Sequence, residues 1–292
     1  MYELNKVSDN TYYLSGPTKI GIYVCKDNSA YLIDSGNDKS AGKSILKVLE
    51  ENNWILKAII NTHSHADHIG GNKFLQEKTG CKIFAKGIES NFINHPILEP
   101  CLLYGGNPHT ELKHKFLYAQ ESHCDDITSP DFPSELSIID LKGHSPEMIG
   151  IKTPDNILFA ADSVSSPIIL VKYGISYIYN VKEYLETLEN LTQIEADLFI
   201  PSHADVCNDF NEIVNINKEK VFEIISKILD FLKEPCSFEA LLMHIFDAYS
   251  LTMTHEQHSL LSSTLKSYLT YLFEENKISI DFVNNNCIYK SI

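Results

Sequence analysis

The chain contains no arginine. Its 24 positively charged side chains are all lysines, set against 39 Asp and Glu, for a formal charge of −15 over 292 residues. Arginine is the better bidentate clamp for carboxylate and phosphate, so a substrate rich in those groups would have to be held by lysine, backbone N–H groups or a metal. A surface of this charge repels polyanions on average, and no dense lysine cluster interrupts it. No apolar run reaches the roughly 18 residues that suggest a membrane span. The opening Tyr2-Glu3-Leu4-Asn5-Lys6 lacks the basic stretch and apolar core of a secretory signal. The seven cysteines (Cys25, Cys81, Cys101, Cys124, Cys207, Cys236 and Cys287) form no Cys-x-x-Cys pair. That argues against a zinc site built on thiolates and fits reduced thiols in a cytoplasmic protein.

What is present reads as α/β. The hydrophobic fraction of 43% and charged fraction of 22% are ordinary for a globular protein, and the length suits one large domain with a small appendage. Short runs rich in β-branched and aromatic residues, separated by Gly, Pro, Asn and Asp, occur at 11–14, 20–25 and 30–33. Helical spacing follows at 40–51 and at 68–79, with a buried strand at 56–61 between them. Residues 86–133 hold Pro96, Pro100, Pro108, Pro130, Pro133 and Gly105-Gly106. They predict an irregular segment with one or two short helices, acting as a lid with Tyr104, Phe116 or Tyr118 near a substrate. Strands at 136–141, 149–153, 157–161 and 198–200 and a helix at 181–191 complete the pattern. Near residue 212 the character changes to helices at 212–232, 238–246 and 256–273. A hairpin follows, turning at Asn284-Asn285-Asn286. The reading is a catalytic domain over 1–211 and a helical, winged-helix-like domain over 212–292.

The densest chemistry is Thr62-His63-Ser64-His65-Ala66-Asp67-His68, between the apolar Ala58-Ile59-Ile60 and Ile69-Gly70-Gly71. Strand, His-rich turn and helix put these side chains at the carboxyl end of a strand, where α/β sheets place ligand sites. Imidazoles and a carboxylate this close are costly to bury unpaired, and together they suit zinc, iron or manganese. Polar residues follow other strands in the same way. Asp34 follows Tyr31-Leu32-Ile33, His144 lies in Gly143-His144-Ser145-Pro146, Asp162 follows Leu158-Phe159-Ala160-Ala161, and His203 follows Phe199-Ile200-Pro201-Ser202. Taken singly, each suits a structural residue or a cap. The ordered recurrence after one type of element points to a site.

In that order the motifs resemble the metallo-β-lactamase-fold superfamily, over about residues 10–205. The resemblance implies a four-layer αββα sandwich with the C-terminal appendage beyond it. It implies one metal on His63, His65 and His144, a second on Asp67, His68 and His203, Asp162 bridging them, and Asp34 orienting the site without ligating. The activity implied is that of a binuclear hydrolase, with two zinc ions (iron or manganese as alternatives) and a metal-bridging hydroxide as nucleophile. Asp67 would steady that hydroxide and shuttle its proton. Asp162 departs from true β-lactamases, which have Cys or a non-carboxylate there. Glyoxalase II shares H-x-H-x-D-H and the bridging Asp but generally clamps glutathione carboxylates with basic side chains. Glu147 and Ser202 stand where glycine is common. The expected substrate is a small ester, thioester or lactone. The alternatives are a mononuclear-iron persulfide dioxygenase and a nuclease or RNA-binding member of the fold. Residues 256–273 carry Lys266 as their one basic side chain, so no nucleic-acid partner is expected, and no membrane. Leu260, Leu261, Leu265, Leu269 and Leu272 form an apolar face expected to pack on the catalytic domain or across a homodimer.

Overall fold

Segments of alternating apolar residues punctuated by turn formers build an antiparallel meander in the computed structural model, which describes residues 2–292. Its strands are β1 (Glu3–Lys6), β2 (Thr11–Ser15), β3 (Ile20–Val24) and β4 (Ser29–Ile33). The chain then crosses over through α1 (Lys39–Glu51), whose first N–H groups are capped by the Asp38 carboxylate. β5 (Ile55–Ile60) pairs parallel to β4. The helices α2 (Ala66–Ile69) and α3 (Asn72–Thr79) lead to β6 (Lys82–Ala85), and α4 (Ile88–Asn94) and α5 (Leu98–Tyr104) to the short β7 (Asp125–Asp126). These seven strands lie in sequence order in one sheet.

The second sheet is β8 (Ser137–Asp140), β9 (Ile149–Lys152) and β10 (Ile157–Ser165), antiparallel, with β11 (Leu198–His203) returning parallel to β10 through α6 (Pro167–Tyr173) and α7 (Val181–Leu191). The inner faces bury Ile33, Ile60 and Phe84 against Ile149, Ile151 and Phe159. Gly21 lets the sheets close in, because a Cβ there would lie 2.6 Å from the Phe159 ring. Outside the first sheet, Ile45 and Leu49 of α1 and Leu75 of α3 pack on Ile22, Leu32 and Ile59. Outside the second, Leu188 of α7 and Val214 of α8 (Asn211–Phe231) pack with Leu158. The architecture is an αββα sandwich.

One expected helix is two. The 68–79 segment breaks between α2 and α3 at Gly70-Gly71. A Cβ on Gly70 would lie 2.3 Å from the Asn37 carbonyl carbon, and one on Gly71 2.4 Å from Ser35 O. The break thus lets the helix start approach the loop that follows β4.

Beyond α8 come β12 (Cys236–Ser237), α9 (Phe238–Ala248), α10 (His255–Glu274), β13 (Ile278–Val283) and β14 (Asn286–Ser291). Asn284 and Asn285 take positive φ (50° and 63°) in the two-residue hairpin turn, as a primed turn requires. The division expected at 211/212 falls at the start of α8. That helix packs on α7 and β10 as well as on α9 and β14. α10 reaches back over α5 and α7. No helix among the described residues is long and apolar enough to cross a membrane.

Candidate metal centre

Asp34 is the first residue after β4 and stands at φ 64°, a left-handed conformation that Asp tolerates better than most residues. Its buried carboxylate accepts hydrogen bonds from the Thr62 N–H (2.8 Å), the Thr62 hydroxyl (2.8 Å) and His68 Nδ1 (2.7 Å). One carboxylate therefore holds both ends of the 63–67 loop that leaves β5.

These contacts fix ring tautomers. With Nδ1–H given to Asp34, a neutral His68 presents a lone pair at Nε2. Thr62 has given its proton to Asp34, so its oxygen accepts from His63 Nδ1 at 3.1 Å and leaves a lone pair at His63 Nε2. His144 Nδ1 faces the Tyr177 carbonyl oxygen at 3.0 Å, which can only accept, so His144 Nε2 is bare as well. His63 Nε2 and His144 Nε2 each lie 3.0 Å from His65 Nδ1. A ring nitrogen has one in-plane site and cannot serve both.

Asp162 lies within β10, where the sequence alone places it just past the strand. The pairing with β11 shifts register around Ala161, itself at φ 49°, and this bulge turns the Asp162 carboxylate into the site. Asp162 Oδ1 lies 3.1 Å from His68 Nε2, and Asp162 Oδ2 lies 3.2 Å from His203 Nε2 and 3.5 Å from His144 Nε2. Asp67 Oδ2 lies 3.3 Å from His203 Nε2 and 3.7 Å from His68 Nε2, and it accepts from the Thr18 hydroxyl at 2.9 Å. His203 ends β11, where the Lys19 ammonium donates to the Ala204 and Pro201 carbonyls on either side of it.

The seven residues named from the sequence thus converge, with Asp34 behind them. Ligand atoms of His63, His65 and His144 lie within 4.8 Å of one another, as do those of Asp67, His68 and His203, and those of His63, His68 and Asp162. With His68 neutral, its Nε2 lone pair faces Asp162 Oδ1 at 3.1 Å with no proton between them, and neither buried atom has a hydrogen-bond partner among the described residues, an arrangement that costs about 1–3 kcal/mol per group. Converging lone pairs and orphaned acceptors are relieved by a cation between them, and imidazole with carboxylate is the donor chemistry of a divalent transition metal.

Electrostatics divide the cluster. Burial, then the His68 and His65 imidazoles, hold His63 well below its ordinary value, and burial pushes His65 and His144 down to about 4. At His68 burial is outweighed by Asp162, Asp67 and Asp34, and the ring rises well above its ordinary value. At His203 burial is likewise outweighed by Asp162 and Asp67, which lift it to about 10. Against burial, these two imidazoles hold Asp67 and Asp162 below the usual carboxylate range. The first trio is a set of neutral nitrogen donors; the second half attracts a cation, proton or metal.

Several supporting residues carry no signal at the level of sequence. Buried Glu89 of α4 accepts from the Ser64 N–H (3.0 Å) and hydroxyl (2.6 Å), the Ser145 hydroxyl (2.5 Å) and the Glu147 N–H (3.0 Å). It ties the two ligand loops together. The matched dipeptides His63-Ser64 and His144-Ser145 are the one hint of it. Glu147 accepts from the Ile88 N–H at 2.7 Å and so anchors the start of α4. Glu99 of α5 lies 3.5 Å from His65 Nε2. Burial, with Glu89 and Asp67 nearby, pushes it up to about 8.

A cavity of about 160 Å³ opens beside the cluster, with His65 and Asp67 on its floor, Glu99, Phe116 and Tyr177 in its walls, and Glu256 and Leu260 of α10 above. Of the aromatics expected there from the 86–133 segment, Phe116 lines it. Tyr104 instead lines a separate cavity between α5, α9 and α10.

Residues 19–203 match the family model of the metallo-beta-lactamase superfamily. Hydroxyacylglutathione hydrolase of Erythrobacter litoralis (strain HTCC2594) is 31% identical over 146 residues, 47% of this chain and 49% of that protein. The enzyme of the same name from Pelagibacter ubique (strain HTCC1062) is 46% identical over 65 residues, 20% of this chain and 27% of the relative. The chain therefore spans between about a quarter and a half of the length of these curated relatives. Among solved structures, a beta-lactamase domain protein from Burkholderia ambifaria superposes with a TM-score of 0.74 at 13% identity, covering 99% of this chain and 95% of that one. A metallo-beta-lactamase family protein from Thermus thermophilus gives 0.70 at 17% identity, over 100% and 98%. Both matches extend through the C-terminal unit.

Proposed function

The chain belongs to the metallo-beta-lactamase superfamily, and from that premise we propose that it is a cytoplasmic, binuclear zinc hydrolase of small esters, thioesters or lactones. The observation that carries the reading is the reach of Asp162. One oxygen faces His68, and the other faces both His144 and His203, so a single carboxylate serves two sets of donors. His63, His65 and His144 would hold one ion, and Asp67, His68 and His203 the other, with Asp162 shared. When bound, such a pair of ions supplies an activated water at neutral pH and polarises the substrate oxygen.

The chain's own residues prepare that chemistry. Asp34 and Thr62 hold His68 and His63 with their Nε2 lone pairs aimed inward, and Glu89 locks the two loops at fixed separation. Asp67, held by Thr18, is the most exposed carboxylate of the cluster, at 34%, and lies on the floor of the cavity. In this reading it would orient a water and take its proton. The small cavity and its glutamates suit a small molecule and disfavour a polyanion. The free cysteines fit a reducing compartment.

Metal analysis of the native protein, followed by an ester, thioester and lactone panel, tests the reading. Two equivalents of zinc per chain are expected, with His63→Ala abolishing turnover while the circular dichroism spectrum is retained. A fully loaded protein that holds one iron, or an unchanged kcat in His63→Ala, would overturn it.

A further inference from the structure

We propose that the cavity selects substrates whose leaving group carries an ammonium, and that it turns away leaving groups bearing a carboxylate. The inference rests on the hydrolase reading above and names the substrate class of that same site.

The walls supply the chemistry. Glu256 sits in the first turn of α10 above the cavity, and among the described residues the nearest basic group to its carboxylate is His114 Nε2 at 3.9 Å. Glu99 is 9% exposed, and its carboxylate makes no hydrogen bond among the described residues; its one close partner is His65 Nε2. Phe116 and Tyr177 line the cavity, the Phe116 ring already holding the Lys115 ammonium 5.1 Å from its centroid, and aromatic side chains together with carboxylates are the recognition chemistry of ammonium groups.

No lysine among the described residues lines the cavity. Lys115, next to Phe116, is paired with Asp38 at 3.1 Å, and Lys19 donates its ammonium to two backbone carbonyls. The positive end of α10 could in principle hold an anion. Its Gln257 N–H, however, is already capped by the Thr254 hydroxyl at 3.1 Å, and Glu256 supplies a full negative charge where the helix supplies a fraction of a positive one. Two divalent ions would bring four positive charges. Asp34, Asp67, Asp162, Glu89 and Glu256 bring five negative ones before Glu99 is counted. Metal loading would thus offset the buried carboxylates of the cluster and leave Glu256 as the negative group over the cavity.

The test uses thioesters of one acyl group with three leaving thiols of similar shape: thiocholine (quaternary ammonium), 3,3-dimethylbutanethiol (neutral) and 3-mercaptopropionate (carboxylate). A second arm measures calorimetric binding of the unreactive S-propyl thioethers of thiocholine and 3-mercaptopropionate to the metal-loaded enzyme. At low salt, kcat/KM for the thiocholine ester should exceed that for the carboxylate ester by about tenfold or more, and added salt should shrink the ratio. Glu256→Gln should reduce the ratio several-fold, and Glu256→Lys should bring it to one or invert it. The thioether affinities should follow the same order. Equal or better handling of the carboxylate series, or a ratio indifferent to Glu256, overturns the inference. If no thioester is cleaved, the hydrolase reading stands or falls on the ester and lactone panel, and the thioether affinities still decide the charge preference.

Discussion

At the scale of the residue, the seven cluster positions were legible because His and Asp are expensive to bury and here recur after strand ends. The residues that aim them were not, because their partners lie far along the chain. Glu89 meets Ser64 across 25 positions and Ser145 across 56, and no local pattern announces such a contact. Asp34 stands between these cases, visible as a motif but not as the acceptor that sets two tautomers. Asp34→Asn isolates that role. Asn tolerates the positive φ, so folding should survive. Its NH₂ group, however, must face Thr62 or His68, both of which are donors. Metal affinity in a chelator competition should fall about 10–100-fold, with the apoprotein still unfolding cooperatively at a thermal midpoint several degrees lower. Wild-type affinity in Asp34→Asn would mean that His68 is oriented by packing alone.

At the scale of the element, periodicity finds the middles of strands and helices, while their ends obey close approaches that sequence does not show. The helix expected over 68–79 and the strand expected over 157–161 differ from the structure for this reason. The first breaks where Gly70-Gly71 slides under the loop after β4, and the second continues through a bulge to Ser165. Gly143 is a third such junction, one residue before His144. It sits at φ 116°, and a Cβ there would lie 2.2 Å from the Tyr184 backbone nitrogen in α7. Backbone within a packed helix cannot yield as a flexible side chain can. The Gly143 carbonyl also accepts from the Tyr179 and Asn180 N–H groups at 2.9 Å, which fixes the start of α7. Gly143→Ala should cost about 1–3 kcal/mol in denaturant unfolding and lower metal occupancy at the His63–His65–His144 trio. A variant as stable as the wild type would show that this loop can move away from α7 at little cost.

At the scale of the molecule, the sandwich was legible from the order of strands and helices, whereas the seam between its parts was not. α8 has apolar residues on more than one side, so sequence alone cannot say which neighbours it serves. In the structure one continuous core runs from Leu158 and Leu188 through Val214 and Ile224 to Leu241, Leu265 and Tyr268. We propose on that basis that residues 212–292 are a docked extension of the sandwich rather than an independent module. Truncation after Leu232 tests it. The cut keeps α8 but removes the Leu241, Ile245, Leu265, Tyr268 and Leu269 side chains that belong to the same core as Val221, Ile224, Ile228 and Leu232, each at most 2% exposed in the full chain. Uncovering a buried aliphatic side chain forfeits roughly 1.5–3 kcal/mol, and a few such losses rival the whole stability of a typical domain. The truncated protein should aggregate or melt well below the full chain. It should also lose Glu256 and Leu260 from above the cavity, so any fraction that stays folded and metal-loaded should no longer discriminate leaving groups by charge. A soluble truncation with an unchanged thermal midpoint would instead show two self-sufficient units that happen to touch. Turnover of the ammonium and carboxylate thioesters by that truncation would then decide separately whether α10 shapes the cavity.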